Sequence, residues 1–171
     1  MSSAASLRHE QMHSPELAAA KRVVISGSVA FMSQMRQIKN EFDRLGVRSV
    51  MPDDIDAGFN VLDKRSYMSF KKGISTSHIN KIKHPLTYGV LVANFDKNGV
   101  HGYIGANTFA EVSVAFSSRK HIFLLGEIPR QYSDELTAWG AISLHGDLSQ
   151  LVKMYEASCR HETAQLRFPQ F

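Results

Sequence analysis

Apolar positions along the chain alternate between short β-branched runs and longer stretches in which they recur every three or four residues, the rhythm of strands interleaved with amphipathic helices. RVVIS, starting at Arg22 and closed by Gly27, reads as a buried strand. In SQMRQIKNEFDRLG the residues Met35, Ile38, Phe42 and Leu45 fall on one helical face, with Ser33 as the cap and Gly46 as the left-handed stop. VRSVMP reads as a second strand ending at Pro52. Asp53 to Lys72 has Gly58, Asn60 and two charge blocks of opposite sign, and is expected to be an irregular excursion. A helix is predicted over Ile74 to Lys83, with Ile79 and Ile82 inward, Ser75 or Thr76 as cap, and Pro85 beyond its end. YGVLVAN is a third strand. The glycine-rich loop NFDKNGVHGYIGAN leads into TFAEVSVAFSSRK, a helix expected to turn Phe109, Val112 and Phe116 inward. HIFLLG is a fourth strand, SDELTAWG a short helix capped by Ser133, ISLHG a fifth strand, and DLSQLVKMYEAS a terminal helix capped by Asp147.

Strand and helix in alternation imply parallel strands joined by right-handed crossovers. The expected fold is α/β, a doubly wound, flavodoxin- or Rossmann-like sheet of about five parallel strands with helices on both faces. It should occupy residues 21–160, between a flexible N-terminal tail (1–20) and a C-terminal tail (161–171). In such sheets ligands bind at the carboxyl ends of the strands, where strand order reverses. The loops after the first and third strands are therefore the places to look for chemistry.

Composition narrows the partners. The formal charge is +4, and Lys64, Arg65, Lys71, Lys72, Lys81 and Lys83 lie in a window without an acid. No nucleic-acid-binding motif accompanies them, so a phosphate on the scale of one nucleotide is the expected partner and nucleic acid is not. Cys159 is the sole cysteine and gives no internal disulfide. The apolar runs are far short of the roughly 20 residues of a membrane span. A cytoplasmic protein without membrane contact is expected. His78, His84, His101, His121 and His145 include no pair at the spacing of a helical zinc site, so neither a metal nor a cofactor is expected.

Two loops can carry chemistry. Ser26, Gly27 and Ser28 form a small turn feeding a helix, whose amides suit an anion or a sugar hydroxyl. The second, GYIGANTFAE, allows two readings of Glu111. Thr108 and Glu111 fit T-x-x-E, a capping box; equally, a carboxylate near a helix start at the sheet's carboxyl edge can face the crevice as a nucleophile.

The segments SGSVAF, HINKIK, ANFDKNGVHGYIGANTFAEVSVAF, IFLLGEIP and LHGDL together resemble the nucleoside 2-deoxyribosyltransferase-like family, which includes the deoxynucleoside monophosphate N-hydrolases. The resemblance covers about Arg22 to Leu151. It implies cleavage of the N-glycosidic bond of a nucleoside or nucleoside 5′-monophosphate, by a homodimer or higher homo-oligomer that shares its active sites. Glu111 matches the nucleophilic glutamate. Ser26, Gly27, Ser28 and Phe31 match the first-loop residues that contact substrate, and Gly105, Asn107 and Thr108 the second loop. Three departures stand out. His78 occupies the position of an aspartate that assists the leaving base. Gly105 replaces a loop aspartate of the transferases, a role for which Asp96 is the available substitute. The insertion KNGVHGY brings Tyr103, which can stack on a base. The lost loop aspartate favours hydrolysis over base exchange. The rival expectation is a nucleotide-binding or sensor module that keeps the fold without the reaction.

Overall fold

The computed structural model describes residues 21–53 and 63–167. The expected N-terminal tail, residues 54–62 of the expected excursion and residues 168–171 lie outside the described residues.

Five strands, β1 (Arg22–Ser26), β2 (Ser49–Val50), β3 (Thr87–Val92), β4 (His121–Leu124) and β5 (Ile142–Ser143), form one sheet in the order β2-β1-β3-β4-β5. Every neighbouring pair is parallel. The helices are α1 (Met32–Arg44), α2 (Lys64–Lys83), α3 (Ala106–Ser117), α4 (Ser133–Ala138) and α5 (Ser149–Arg167). This is the doubly wound α/β arrangement that the alternation predicts.

The period of two along each strand divides the core. Val23 and Ile25 pack on Met35, Ile38 and Phe42 of α1 and on Leu151 and Tyr155 of α5. Val24, Val90, Val92, Ile122 and Leu124 face the other way, onto Ile82 of α2, Val112 and Ala115 of α3 and Leu136 of α4. Ser26 continues the row of Val24, so the last side chain of β1 falls on the α2 and α3 face. Gly27 follows at a close approach. A Cβ there would stand 3.2 Å from the Met35 sulfur and 3.3 Å from the Ala93 carbonyl oxygen, which leaves little room for any other residue.

Several boundaries differ from the sequence reading. The helix expected from Ile74 begins ten residues earlier, at Lys64. Asp63 caps it, accepting from the amides of Arg65 at 2.9 Å and Ser66 at 3.0 Å, so Ser75 and Thr76 are interior. Much of the expected excursion is thus helix. Its residues 64–73 are all exposed, so no buried face marks them as helix. Ser33 is not the cap of α1. That helix starts at Met32, and it is Ser28 that caps the preceding 3-10 turn, Val29–Phe31, by accepting from the Ala30 amide. Gly46 does end the helix, at φ +71°, but Leu45 lies outside the buried stripe, at 41% exposure. In α3 the inner face is Thr108, Val112 and Ala115, whereas Phe116 is exposed and stacks on Trp139. The N-cap of α4 is Tyr132, so Ser133 is its first helical residue. Asp147 accepts from the Ser149 amide at 2.9 Å where α5 starts, as expected, but α5 runs to Arg167, through much of the segment read as a C-terminal tail. Cys159 is buried. No helix among the described residues is long and apolar enough to cross a membrane.

Candidate active site

The connection from β1 leads through α1 to β2 on one side of the sheet, and that from β3 leads through α3 to β4 on the other. The carboxyl ends of β1 and β3 therefore diverge, and a crevice opens between their loops. It is a cleft of about 590 Å³. The β1 loop contributes Gly27 and Ser28, and the loop into α3 contributes Tyr103 and Gly105. Helix α3 adds Asn107, Thr108 and Glu111, and the opposite wall is α2, with Tyr67, Phe70, Lys71, Ile74 and His78.

Helix α3 sets the position of Glu111. Gly105, extended at ψ 166°, is its N-cap, and no side chain caps it. Thr108 is consequently the third helical residue and is buried, and Glu111 sits in the second turn. The capping box does not form, because the helix starts two residues before Thr108. Glu111 lies at the edge of the buried facet made by Thr108, Val112 and Ala115, and its side chain is 17% exposed. From α2, His78 is buried one turn before Ile82, at 2% exposure.

These two side chains meet Ser26. The Ser26 Oγ is 2.9 Å from His78 Nε2, and the Glu111 Oε2 is 3.6 Å from the same nitrogen. Burial pushes Glu111 up to about 7 from 4.5, with the Ser26 hydrogen bond opposing the rise. Burial likewise depresses His78 to about 4, helped by the charge of Lys81 and opposed by Asp53. Near neutral pH the imidazole is thus uncharged and the carboxyl is close to half ionised. A neutral imidazole suits orientation and hydrogen bonding better than donation of a proton to a departing base.

The cluster is not that of a serine hydrolase. There the acid and the serine engage opposite ring nitrogens; here both oxygens approach Nε2, and Nδ1 is buried with no hydrogen-bond partner among the described residues. Ser26 is fully buried and does not line the cleft, so it is no nucleophile. Glu111 is the member of the three with appreciable exposure to the cleft.

Of the expected site residues, the structure brings Gly27, Ser28, His78, Tyr103, Gly105, Asn107, Thr108 and Glu111 to one cleft, with Ser26 directly behind. Two others do not line it. Phe31 is buried edge-on against Phe95, 5.4 Å between centroids. Asp96 sits on an exposed hairpin, where His101 Nδ1 at 2.7 Å and the Gly102 amide at 2.9 Å engage its carboxylate and hold it below the usual carboxylate range. Its hairpin forms because Asn98 and Gly99 both take positive φ between Lys97 and Val100.

That hairpin delivers a residue the sequence reading did not single out. Lys97 Nζ lies 3.1 Å from Ser28 Oγ and 4.9 Å from the centroid of the Tyr103 ring, tying together the two loops that frame the cleft. The α2 wall was also missed. Tyr67, Phe70, Ile74 and His78 recur at three and four residues, a stripe that becomes visible once the helix is started at Lys64. Asp53 lines the cleft too, held by Ser77 Oγ at 2.7 Å and by an ion pair with Lys81; these hydrogen bonds lower its pKa. No family model, curated protein or solved structure matches the chain.

Proposed function

We propose that the protein cleaves the N-glycosidic bond of a nucleoside or nucleoside 5′-monophosphate, with Glu111 as the nucleophile and water as the final acceptor. The observation that carries the reading is a mostly buried carboxyl, poised near neutral pH, on the wall of a nucleotide-sized cleft at the switch point of the sheet. In its ionised form Glu111 attacks the anomeric carbon as the bond to the base breaks, the electron pair leaving on the base. Water then hydrolyses the glycosyl ester, giving its hydroxyl to the sugar and, in net, its proton to the base. His78 and Ser26 lie beside the carboxyl. Tyr103, Phe70 and Tyr67 offer aromatic surface for a base, and Lys71 a cation for a phosphate. The exposed Tyr67, Met68 and Phe70 beside the cleft also support a homo-oligomer in which a second copy covers α2.

The neutral state of His78 favours a second reading, a nucleotide-binding module without turnover, because no charged acid stands ready for the leaving base. One experiment separates them. A panel of nucleosides and 5′-monophosphates is incubated with the protein and with Glu111→Ala, and free base is measured by chromatography. Base release by the native protein and its loss in the variant are expected. Turnover retained by the variant refutes the nucleophile, and thermal stabilisation by ligand without base release refutes the enzyme.

A further inference from the structure

Asp53 is a charged side chain of the cleft to which the proposed chemistry gives no part, and it is held in a fixed orientation. It follows β2 at one edge of the sheet and lines the cleft, with 49% of its side chain exposed. Both carboxylate oxygens are tied to α2. Ser77 Oγ donates to Oδ2 at 2.7 Å, and Lys81 Nζ pairs with Oδ1. Lys81 also donates to the Met51 carbonyl at 3.1 Å, which fixes the cation against the segment that carries Asp53. The hydrogen bonds from Lys81 and Ser77 hold the carboxyl below the usual carboxylate range, so near neutral pH it is ionised and only accepts.

The acceptor sites can be counted. A carboxylate offers about four lone-pair sites, two on each oxygen. Ser77 occupies one on Oδ2 and Lys81 one on Oδ1, so one acceptor site remains on each oxygen. Neither Ser77 nor Lys81 lines the cleft, whereas Asp53 does, so the occupied sites face α2 and the remaining pair faces the cleft. Two acceptors side by side are the complement of two parallel N–H donors, the fork geometry in which a carboxylate binds most firmly. Among the common bases that pattern is guanine's, whose N1–H and N2 amine stand side by side. Adenine and cytosine set a bare ring nitrogen beside their amine, and uracil and thymine flank their ring N–H with carbonyls. Each of these turns a lone pair onto a carboxylate oxygen, which selects against it.

The position also suits a base. Asp53 follows β2 and Glu111 lies beyond β3, with β1 between. At about 4.8 Å per strand, β2 and β3 run roughly 10 Å apart. A sugar at Glu111 therefore directs the far edge of a purine toward Asp53. The neighbours Ser77 and His78 on α2 serve the two ends, Ser77 holding Asp53 while His78 lies beside Glu111.

We propose that Asp53 reads the base, accepting the N1–H and N2 amine of guanine on its two free acceptor sites while Ser77 and Lys81 hold it in place. This rests on the reading of the cleft as a nucleotide site and names the base that the site prefers.

The test uses the full chain with the nucleosides and 5′-monophosphates of guanine, hypoxanthine, adenine, cytosine and uracil, measuring binding by calorimetry and base release by chromatography. Guanine should bind tightest. Hypoxanthine keeps N1–H and lacks the N2 amine, so it should bind about tenfold more weakly or worse, the loss of one hydrogen bond to a charged group. In Asp53→Asn one acceptor becomes an amide donor. Guanine should then lose about tenfold or more in affinity, while adenine, which asks for an acceptor beside a donor, should hold or gain. A carboxylate that only pins its loop to α2 would weaken every base alike. Equal binding of the bases, binding of none, a uniform loss in Asp53→Asn, or a guanine preference that survives in it overturns the proposal. A guanine preference that Asp53→Asn abolishes, without base release by the native protein, leaves it standing and refutes only the catalytic reading.

Discussion

Replacing Glu111 by Gln should make the protein more stable at alkaline pH while removing the proposed base release. The carboxyl's midpoint stands at about 7 in the folded chain against 4.5 unperturbed, because the charged form is poorly solvated where it sits. A folded-state midpoint above the unfolded one means that stability is fully present below about pH 4.5 and is lost as pH rises through 7. At 1.36 kcal/mol per pH unit the gap amounts to about 3 kcal/mol once ionisation is complete. With only 17% of the side chain exposed, solvent screening removes little of this. Gln has a similar shape and never ionises. The difference in unfolding free energy between Glu111→Gln and the native chain should thus grow by about 3 kcal/mol from about pH 4.5 to about pH 8.5, read from urea midpoints at matched m-values. In thermal melts this is roughly 6 to 12 °C for a chain of this length. His78 is common to both proteins, so its own titration cancels in the difference. Parallel stability curves across that range would refute the burial account of Glu111, and with it the view that the proposed nucleophile is held at a cost to the fold.

Two further outcomes follow from the same cluster. His78 has a folded-state midpoint near 4 against 6.5 unperturbed, so its contribution is present above pH 6.5 and is lost as pH falls through 4. His78→Asn should escape that loss, narrowing its stability deficit by about 3 kcal/mol between pH 7 and pH 4 in urea titrations; a constant deficit contradicts it. Asp96→Ala should leave base release unchanged while loosening the hairpin, seen as faster amide exchange at Gly102; a large fall in turnover would return Asp96 to the active site.

The sheet was legible in the sequence because its strands are nearly continuous β-branched runs, the mark of strands buried on both faces. The loops on either side of the cleft were legible from the alternation of strands and helices, which points to the loops after the first and third strands; Glu111 was singled out by its place near a helix start and by the family resemblance. What escaped was information held in tertiary contacts. Thr108 and Glu111 satisfy the spacing of a capping box, yet Gly105 starts the helix sooner, and no local rule ranks an uncapped glycine start above T-x-x-E. The first half of α2 was lost because its residues are exposed, so its stripe of Tyr67 and Phe70 faces a cleft and not the core. The role of Ser26 depends on His78, 52 positions away, a pairing that no spacing encodes. Asp96 was an attractive substitute carboxylate by position, but the Asn98-Gly99 turn carries it out to solvent.

Two parts of the cleft differ in how freely they can change. Glu111 of α3, His78 from the second half of α2 and Ser26 are mostly or wholly buried and in mutual contact, so a substitution at one disturbs the others and the core beneath. Nearer the start of α2, Tyr67, Phe70 and Lys71 line the same cleft from a stretch of helix in which every residue is exposed. Exchanges at exposed helical positions usually move stability by less than about 0.5 kcal/mol. This exposed lining can therefore drift through many residue types while the buried cluster stays fixed. On the proposed function, such a chain can acquire a new substrate by a short walk of tolerated substitutions, without passing through an unfolded intermediate sequence.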